Sequence, residues 1–335
     1  MKLWSSIILA VLLVFSLLSC CVRDDGANSD RKIAVFSRNL ELNPRDAQSF
    51  LERGLLYARK GDWQRAVADF TRARELKPKE AQAYFCLVST QGCQKNWDRA
   101  LAALDRTLEF NPNYAQAHFL RGFVYYEKGE VDRALADYDR AVELSPNNAE
   151  VYTYRGLAYA QKGDLYRAFA DYHRALTLNP KNVETYRFRA AAHIMKGDWE
   201  EALADTNRAL KFNANDVVSY INRGLAHHLQ GRLNQAITDY NRALMIDPKF
   251  AEAYSCRGSA FWGKGYYYRA LVDVNRALEI NPRDAQAHFC KAQLLDQTGK
   301  KKQALAAYRS FLKFSASQPK GNIELAQARI QVLKK

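Results

Sequence analysis

The stretch AQAHFLRGFVYYEKGEVDRALADYDRAVELSPNN (residues 115–148) is followed directly by AEVYTYRGLAYAQKGDLYRAFADYHRALTLNPKN (149–182). Laid over one another, the two agree at Arg121 and Arg155, Gly122 and Gly156, Gly129 and Gly163, Ala134 and Ala168, Asp137 and Asp171, and Pro146 and Pro180. The period is 34 residues, and it runs outward in both directions: Pro44, Pro78, Pro112, Pro146, Pro180, Pro248 and Pro282 keep it, with Ala214 in the one missed slot. Such a period marks an array of helix pairs, in which one pair cannot bury its apolar face alone and must stack on the next.

With Ala47 as the first residue of a repeat, position eight carries Gly54, Gly122, Gly156, Gly224 and Gly258, with Ala190 and Ala292 as small substitutes and Val88 as the exception. Position twenty is Ala66, Ala100, Ala134, Ala168, Ala202, Ala236, Ala270 and Ala304. Small residues in two fixed columns mean two helices in close approach, where a larger side chain overpacks the contact. The bulky residues at position four (Phe50, Tyr84, Tyr152, Tyr186, Tyr220, Tyr254) and position twenty-four (Phe70, Tyr138, Tyr172, Tyr240) supply the buried area.

Turn chemistry has the same period. Gly61, Gly129, Gly163, Gly197, Gly231, Gly265 and Gly299 stand where each first helix ends, a place for a left-handed residue. Asp62, Asp164 and Asp198 are placed to cap second helices, and Asp46, Asn148, Asn182, Asp216 and Asp284 to cap first helices.

These columns resemble the tetratricopeptide repeat family over residues 47–318. The resemblance implies an all-α, right-handed superhelical solenoid of antiparallel helix pairs, about seven to eight repeats (47–80, 81–114, 115–148, 149–182, 183–216, 217–250, 251–284 and 285–318). Repeat 81–114 is the most degenerate, and the last loses its proline column to Ala316. Residues 31–46 read as a lone second helix before the array, and 319–335 as an amphipathic capping helix after it.

The amino-terminal end reads as a targeting segment, with Lys2 before an apolar run from Ile7 to Leu18 that is too short for a membrane span. The string Leu17, Leu18, Ser19, Cys20 resembles a bacterial lipoprotein cleavage box. That resemblance implies a signal peptide over 1–19, a lipid on the Cys20 thiol, a polar tether over 20–30, and a periplasmic, membrane-anchored protein. An ordinary cleaved signal and an uncleaved anchor are the alternatives. Cys21 rather than aspartate follows Cys20, which favours the outer membrane over the inner.

The formal charge is +14, concentrated at the carboxyl end around Lys300, Lys301 and Lys302. That run is either a patch for an anionic partner or the solvated end of the last repeat. Export and the lack of a base-stacking module argue against nucleic acid. Cys86 and Cys93 sit about 10 Å apart along one helix by helical rise. Cys256 and Cys290 sit about 8–10 Å apart on neighbouring helices by interaxial spacing, and neither pair is within disulfide reach. Four reduced thiols are expected.

One polar pattern recurs: Arg53, Arg121, Arg155, Arg189, Arg223 and Arg257 at position seven, and Asp69, Asp137, Asp171, Asp205, Asp239 and Asp273 at position twenty-three. A feature copied into nearly every repeat is architectural, since a catalytic site needs a unique constellation. A further column, Arg72, Arg106, Arg140, Arg174, Arg208, Arg242 and Arg276, faces solvent or extends the ladder. His118, His193, His227 and His288 replace tyrosines at packing positions, and His228 follows His227. No carboxylate or thiolate is spaced beside them for a metal, and no nucleophile or phosphate-loop motif is present. The expectation is no catalysis, no metal and no cofactor.

In the family, positions two, five, six, nine and twelve of first helices face the concave side. Here they carry Phe85, Phe119, Phe123, Tyr126, Tyr154, Phe188 and Trp262, interrupted by Arg187, Asn222 and His228. The basic set with which chaperone-binding relatives hold a carboxylate is absent, since Leu51, Leu55, Cys86, Gln116 and Leu120 stand there. Two classes follow: an envelope adaptor that binds partner peptides through apolar anchors, and a cell-wall or carbohydrate binder whose aromatics stack on sugars. Phenylalanine outnumbers tryptophan and tyrosine in the set, which favours the peptide. Half of these residues are equally suited to packing between helices.

Overall fold

The structure is a computed structural model that describes residues 26–60, 62–77, 97–315 and 320–334. The leader, Cys20, Cys21, Tyr84, Phe85, Cys86 and Cys93 lie outside the described residues. Among the described residues every regular element is a helix. In chain order these are α1 (Gly26–Leu42), α2 (Ala47–Arg59), α3 (Trp63–Leu76), α4 (Trp97–Phe110), α5 (Ala115–Glu127), α6 (Val131–Leu144), α7 (Ala149–Gln161) and α8 (Leu165–Leu178). Then come α9 (Val183–Lys196), α10 (Trp199–Phe212), α11 (Val217–Leu229), α12 (Leu233–Ile246), α13 (Ala251–Gly263), α14 (Tyr267–Ile280), α15 (Ala285–Gln297), α16 (Lys301–Phe314) and α17 (Lys320–Leu333). Helix α1 takes in Gly26–Asp30, which the sequence reading assigns to the polar tether.

The described helices form two compact bodies, α1–α8 up to Leu178 and α9–α17 from Asn179. Each is an all-α solenoid in which consecutive helices pack on one another, α3 and α4 excepted, and α5 also touches α7, α9 touches α11, α11 touches α13 and α13 touches α15. The turns explain the hairpins. Gly129, Gly163, Gly197, Gly231, Gly265 and Gly299 have φ between 74° and 91°, a region that a side chain would strain. Asn148, Asn182, Asp216 and Asp284 each accept a backbone N–H of the helix they open, at 2.8–3.1 Å. Asp62 and Asp164 cap second helices in the same way, but Asp198 does not. Its carboxylate accepts instead from Lys196 Nζ at 2.6 Å, a charged donor that outcompetes the backbone amide.

The two small columns have a physical partner. A Cβ on Gly156 would lie 2.8 Å from the Tyr172 ring and 3.2 Å from the Ala168 carbonyl oxygen; on Gly122 it would lie 2.8 Å from Tyr138, and on Gly224 2.6 Å from Tyr240. In these repeats position eight is small because the aromatic ring of position twenty-four lies against it, and Val274 takes that place beside Gly258. Tyr138, Tyr172 and Tyr240 are fully buried there. At the carboxyl end α17 closes the stack, with Ala326 and Ile330 packed among Phe289, Tyr308 and Phe311. Among the described residues no helix is long and apolar enough to cross a membrane.

Candidate functional site

The recurrent charges pair with one another. Arg155 Nε donates to Asp171 Oδ2 at 2.8 Å and Nη2 to Oδ1 at 2.7 Å, and Arg53–Asp69, Arg121–Asp137, Arg189–Asp205, Arg223–Asp239 and Arg257–Asp273 repeat the fork. The remaining nitrogen, Nη1, reaches back to the preceding second helix, to Ser37, Asp105, Asp139, Asn207 and Asn241 in five of the six cases. The ring at position four lies under the guanidinium at 5.3–5.7 Å in five repeats. These forks hold the arginines charged, so that the Arg121 pKa is raised chiefly by its hydrogen bond to Asp137. The further arginine column faces solvent, where Arg72, Arg140 and Arg276 make surface pairs with Glu75, Glu143 and Glu279.

Position four is also fixed by its polar tip. The hydroxyls of Tyr152, Tyr186, Tyr220 and Tyr254 donate to the carbonyls of Pro146, Pro180, Ala214 and Pro248 at 3.2–3.3 Å. His118 Nε2 and His288 Nε2 face the Pro112 and Pro282 carbonyls at 2.9 and 3.1 Å, so these imidazoles do the work of the tyrosines. Among the described residues no group of three or more histidine, cysteine and acidic side chains could hold a metal. Cys256 and Cys290 are buried and not disulfide-bonded, and burial pushes the Cys290 thiol up to about 11.

The anchors expected to line the groove divide sharply. Phe119, Phe123, Tyr126, Tyr154 and Phe188 are all buried, at 2–6% exposure. Phe119 and Phe123 meet Tyr154 edge-on, with ring centroids 5.5 and 5.7 Å apart. Phe119, Phe123 and Tyr154 are thus core between α5 and α7, because a neighbouring helix removes more of their surface from water than an open groove does. Asn222 is also buried and donates to the Arg187 carbonyl at 3.2 Å. His228 is partly buried, and desolvation lowers its pKa to about 4. Arg187 and Trp262 keep an edge at the surface, and Trp262 Nε1 donates to Gln297 Oε1 at 2.9 Å. Phe85 lies outside the described residues. Lys300, Lys301 and Lys302 are exposed at the start of α16.

A shallow pocket of about 300 Å³ lies between α15 and α17, lined by Gln293, Asp296, Gln297, Tyr308, Leu325 and Arg329. Arg329 forks Asp296 at 2.7 and 2.8 Å and depresses its carboxyl pKa. The signal for it in the sequence was an acid at position twelve, where Tyr126, His228 and Trp262 stand in other repeats.

Profiles described as TPR repeat match residues 94–129, 124–163 and 227–265, and profiles described as tetratricopeptide repeat match 28–84, 149–182 and 274–306, together more than half of the chain. The chain belongs to the tetratricopeptide repeat family. No curated protein sequence matches this TPR chain. Among solved structures it is similar to a chain of the APC/C hetero-tetramer Cut9-Hcn1, with a TM-score of 0.66 and 15% identity over 99% of this chain and 64% of that one. It thus spans less than two thirds of that protein's length. A tetratricopeptide repeat protein from Parabacteroides merdae gives a TM-score of 0.57 and 16% identity over 86% and 99% of the two chains. The human IFIT1 dimer with PPP-AAAA gives 0.67 and 16% over 98% and 84%. At these identities the likeness shows the TPR fold alone.

Proposed function

We propose that this TPR chain is a non-catalytic scaffold that takes a partner polypeptide on the face built by its first helices. The observation that carries this reading is a division of labour. The arginines and aspartates that recur in six of the eight repeats satisfy one another, whereas positions two, five, nine and twelve change chemistry from repeat to repeat, as with Arg187, Glu252, Ser255, Trp262, Gln293 and Asp296. Unrepeated polar groups on a repeated frame are what recognition of one particular partner requires. A photo-crosslinking residue at Gln293 should capture the partner, and the same residue at Tyr166, which is 87% exposed on a second helix, should not. Equal capture from both positions would defeat the reading.

The lipoprotein-like string ending in Cys20 supports attachment to a bacterial envelope, with the outer membrane favoured. Labelling with a palmitate analogue should mark the wild type and not Cys20→Ser. A mutant that remains labelled removes this part of the proposal. A cell-wall or carbohydrate ligand is the second reading. It is favoured by the chain of contacts from Trp262 through Gln297 to the Tyr267 hydroxyl, beside the exposed Tyr266 and Tyr268.

A further inference from the structure

Three successive repeats of the body from Asn179 onward fill one slot in three ways. The slot is framed by positions two and five of a first helix and by the residue that opens the next first helix. In repeat 183–216 these are Glu184, Arg187 and Asp216. Arg187 Nη1 donates to Asp216 Oδ1 at 3.2 Å and Nη2 approaches Glu184 Oε1 at 3.5 Å, with the arginine side chain 11% exposed. In repeat 217–250 they are Val218, Ile221 and Phe250, all buried, and the slot is apolar. In repeat 251–284 they are Glu252, Ser255 and Asp284. Both acids of the first arrangement return, and the arginine between them does not.

Burial raises the pKa of both Glu252 and Asp284 above the ordinary carboxylate range, desolvation being the largest cause for each. Asp284 accepts the Ala287 amide at 3.0 Å. Among the described residues no ion pair neutralises either acid. Two observations beyond the charge identify what belongs between them. The equivalent acids two repeats earlier grip a guanidinium inside the same chain. Ser255 Oγ, at the position Arg187 holds there, is shielded from solvent and has no hydrogen-bond partner. A partly desolvated acidic pair beside an orphan acceptor is costly alone and is relieved by a cation with several divergent donors.

We propose that Glu252, Ser255 and Asp284 form a receptor slot for the guanidinium of an arginine side chain carried by the bound polypeptide, seated as Arg187 is seated in repeat 183–216. The inference rests on the scaffold reading above and names one feature of its partner. A guanidinium fits better than an ammonium, because its planar fork sends separate N–H groups to carboxylates on two different helices while a third can reach Ser255 Oγ.

The test uses the full chain, ¹⁵N-labelled and titrated with N-acetyl-arginine methylamide, followed at the backbone amides of Glu252, Ser255 and Asp284. Saturable shifts are expected with arginine, affinity at least about fivefold weaker with the lysine analogue, and no binding of the neutral citrulline isostere. Ser255→Arg supplies the guanidinium in cis. It should abolish the arginine-induced shifts and raise the thermal midpoint, which also shows that this variant folds. Glu252→Gln should weaken arginine binding about tenfold, or about 1.4 kcal/mol. Citrulline binding as well as arginine, or arginine shifts that persist in Ser255→Arg, would overturn the slot. If arginine leaves these amides unmoved while partner crosslinking at Gln293 succeeds, the slot fails and the scaffold reading stands. Shifts at the slot without any crosslinked partner support the slot and count against the scaffold.

Discussion

Arg155 and Asp171 meet as fork to fork, 16 residues apart on the two helices of one repeat, through parallel hydrogen bonds of 2.8 and 2.7 Å. Asp139 of the preceding repeat holds the third guanidinium nitrogen at 2.8 Å. The partners are unequal in what they can tolerate losing. Asp171, whose pKa is raised chiefly by burial, can take up a proton when its arginine is removed, whereas Arg155 cannot shed its charge.

Asp171→Ala should therefore cost more than Arg155→Leu. A loss of about 3 kcal/mol is expected for the aspartate and about half of that for the arginine, from the cost of stranding one partner of a buried pair. Urea denaturation of both variants decides it, and the reverse order would overturn the ladder.

The Tyr172 hydroxyl is buried without a partner, and Phe70 holds the same column without a hydroxyl. Tyr172→Phe should leave stability unchanged or raise it by up to about 1 kcal/mol, because no hydrogen bond is lost. Gly156→Ala should cost about 1–3 kcal/mol by driving a methyl into that ring. A destabilised Tyr172→Phe would mean that the hydroxyl is satisfied in solution.

Acid should begin to weaken the fold as soon as the pH falls through the ordinary histidine value. His193, His227 and His228 all have pKa values lowered mainly by burial, His228 to about 4 from an ordinary 6.5. The unfolded chain takes these protons first, so the stability from neutral imidazole is intact above pH 6.5 and lost as pH falls toward about 4. His228→Gln should flatten the thermal midpoint in that window. The Asp296 contribution has its window lower, since a depressed acid loses its effect only below its ordinary 3.8.

Phe119→Ala should register as a folding defect. The ring is 4% exposed, and emptying such a site costs about 3–5 kcal/mol. A protein that keeps its denaturation midpoint while losing partner capture would restore Phe119 as a surface anchor.

Changing Lys300, Lys301 and Lys302 together to glutamine should leave the midpoint within about 0.5 kcal/mol, as for exposed positions generally. Binding of the full chain to phosphatidylglycerol vesicles should lose its salt dependence if the run meets an anionic surface. An unchanged salt profile would return these lysines to a merely solvated helix end.

The fold was legible because its determinants are copied: Gly156 beneath Tyr172, Gly163 at φ 81°, and Arg155 opposite Asp171 all have counterparts 34 residues away. The site was less so. A period assigns Phe119, Tyr154 and Phe188 to a face but does not say how far each is buried, and the structure buries all three, Phe119 against Tyr154 of the next first helix. The Glu252, Ser255 and Asp284 slot joins residues on two helices and is recognised by an arginine that is missing. The Asp296 pocket depends on Arg329, whose placement follows from how α17 docks and from no repeated column.

A guanidinium that grips its own repeat and the one before it also constrains how such a gene can change length. Arg121 spans Asp105 and Asp137, and Arg155 spans Asp139 and Asp171, so each link reaches 16 residues either way along the chain. Removing or adding a whole 34-residue period within a body brings an equivalent arginine to an equivalent pair of acceptors. An insertion or deletion of a few residues inside a helix pair instead moves an acceptor off its face and leaves a half-buried charge behind. The ladder therefore acts as a reading gauge for recombination, accepting length changes in complete periods and penalising all others.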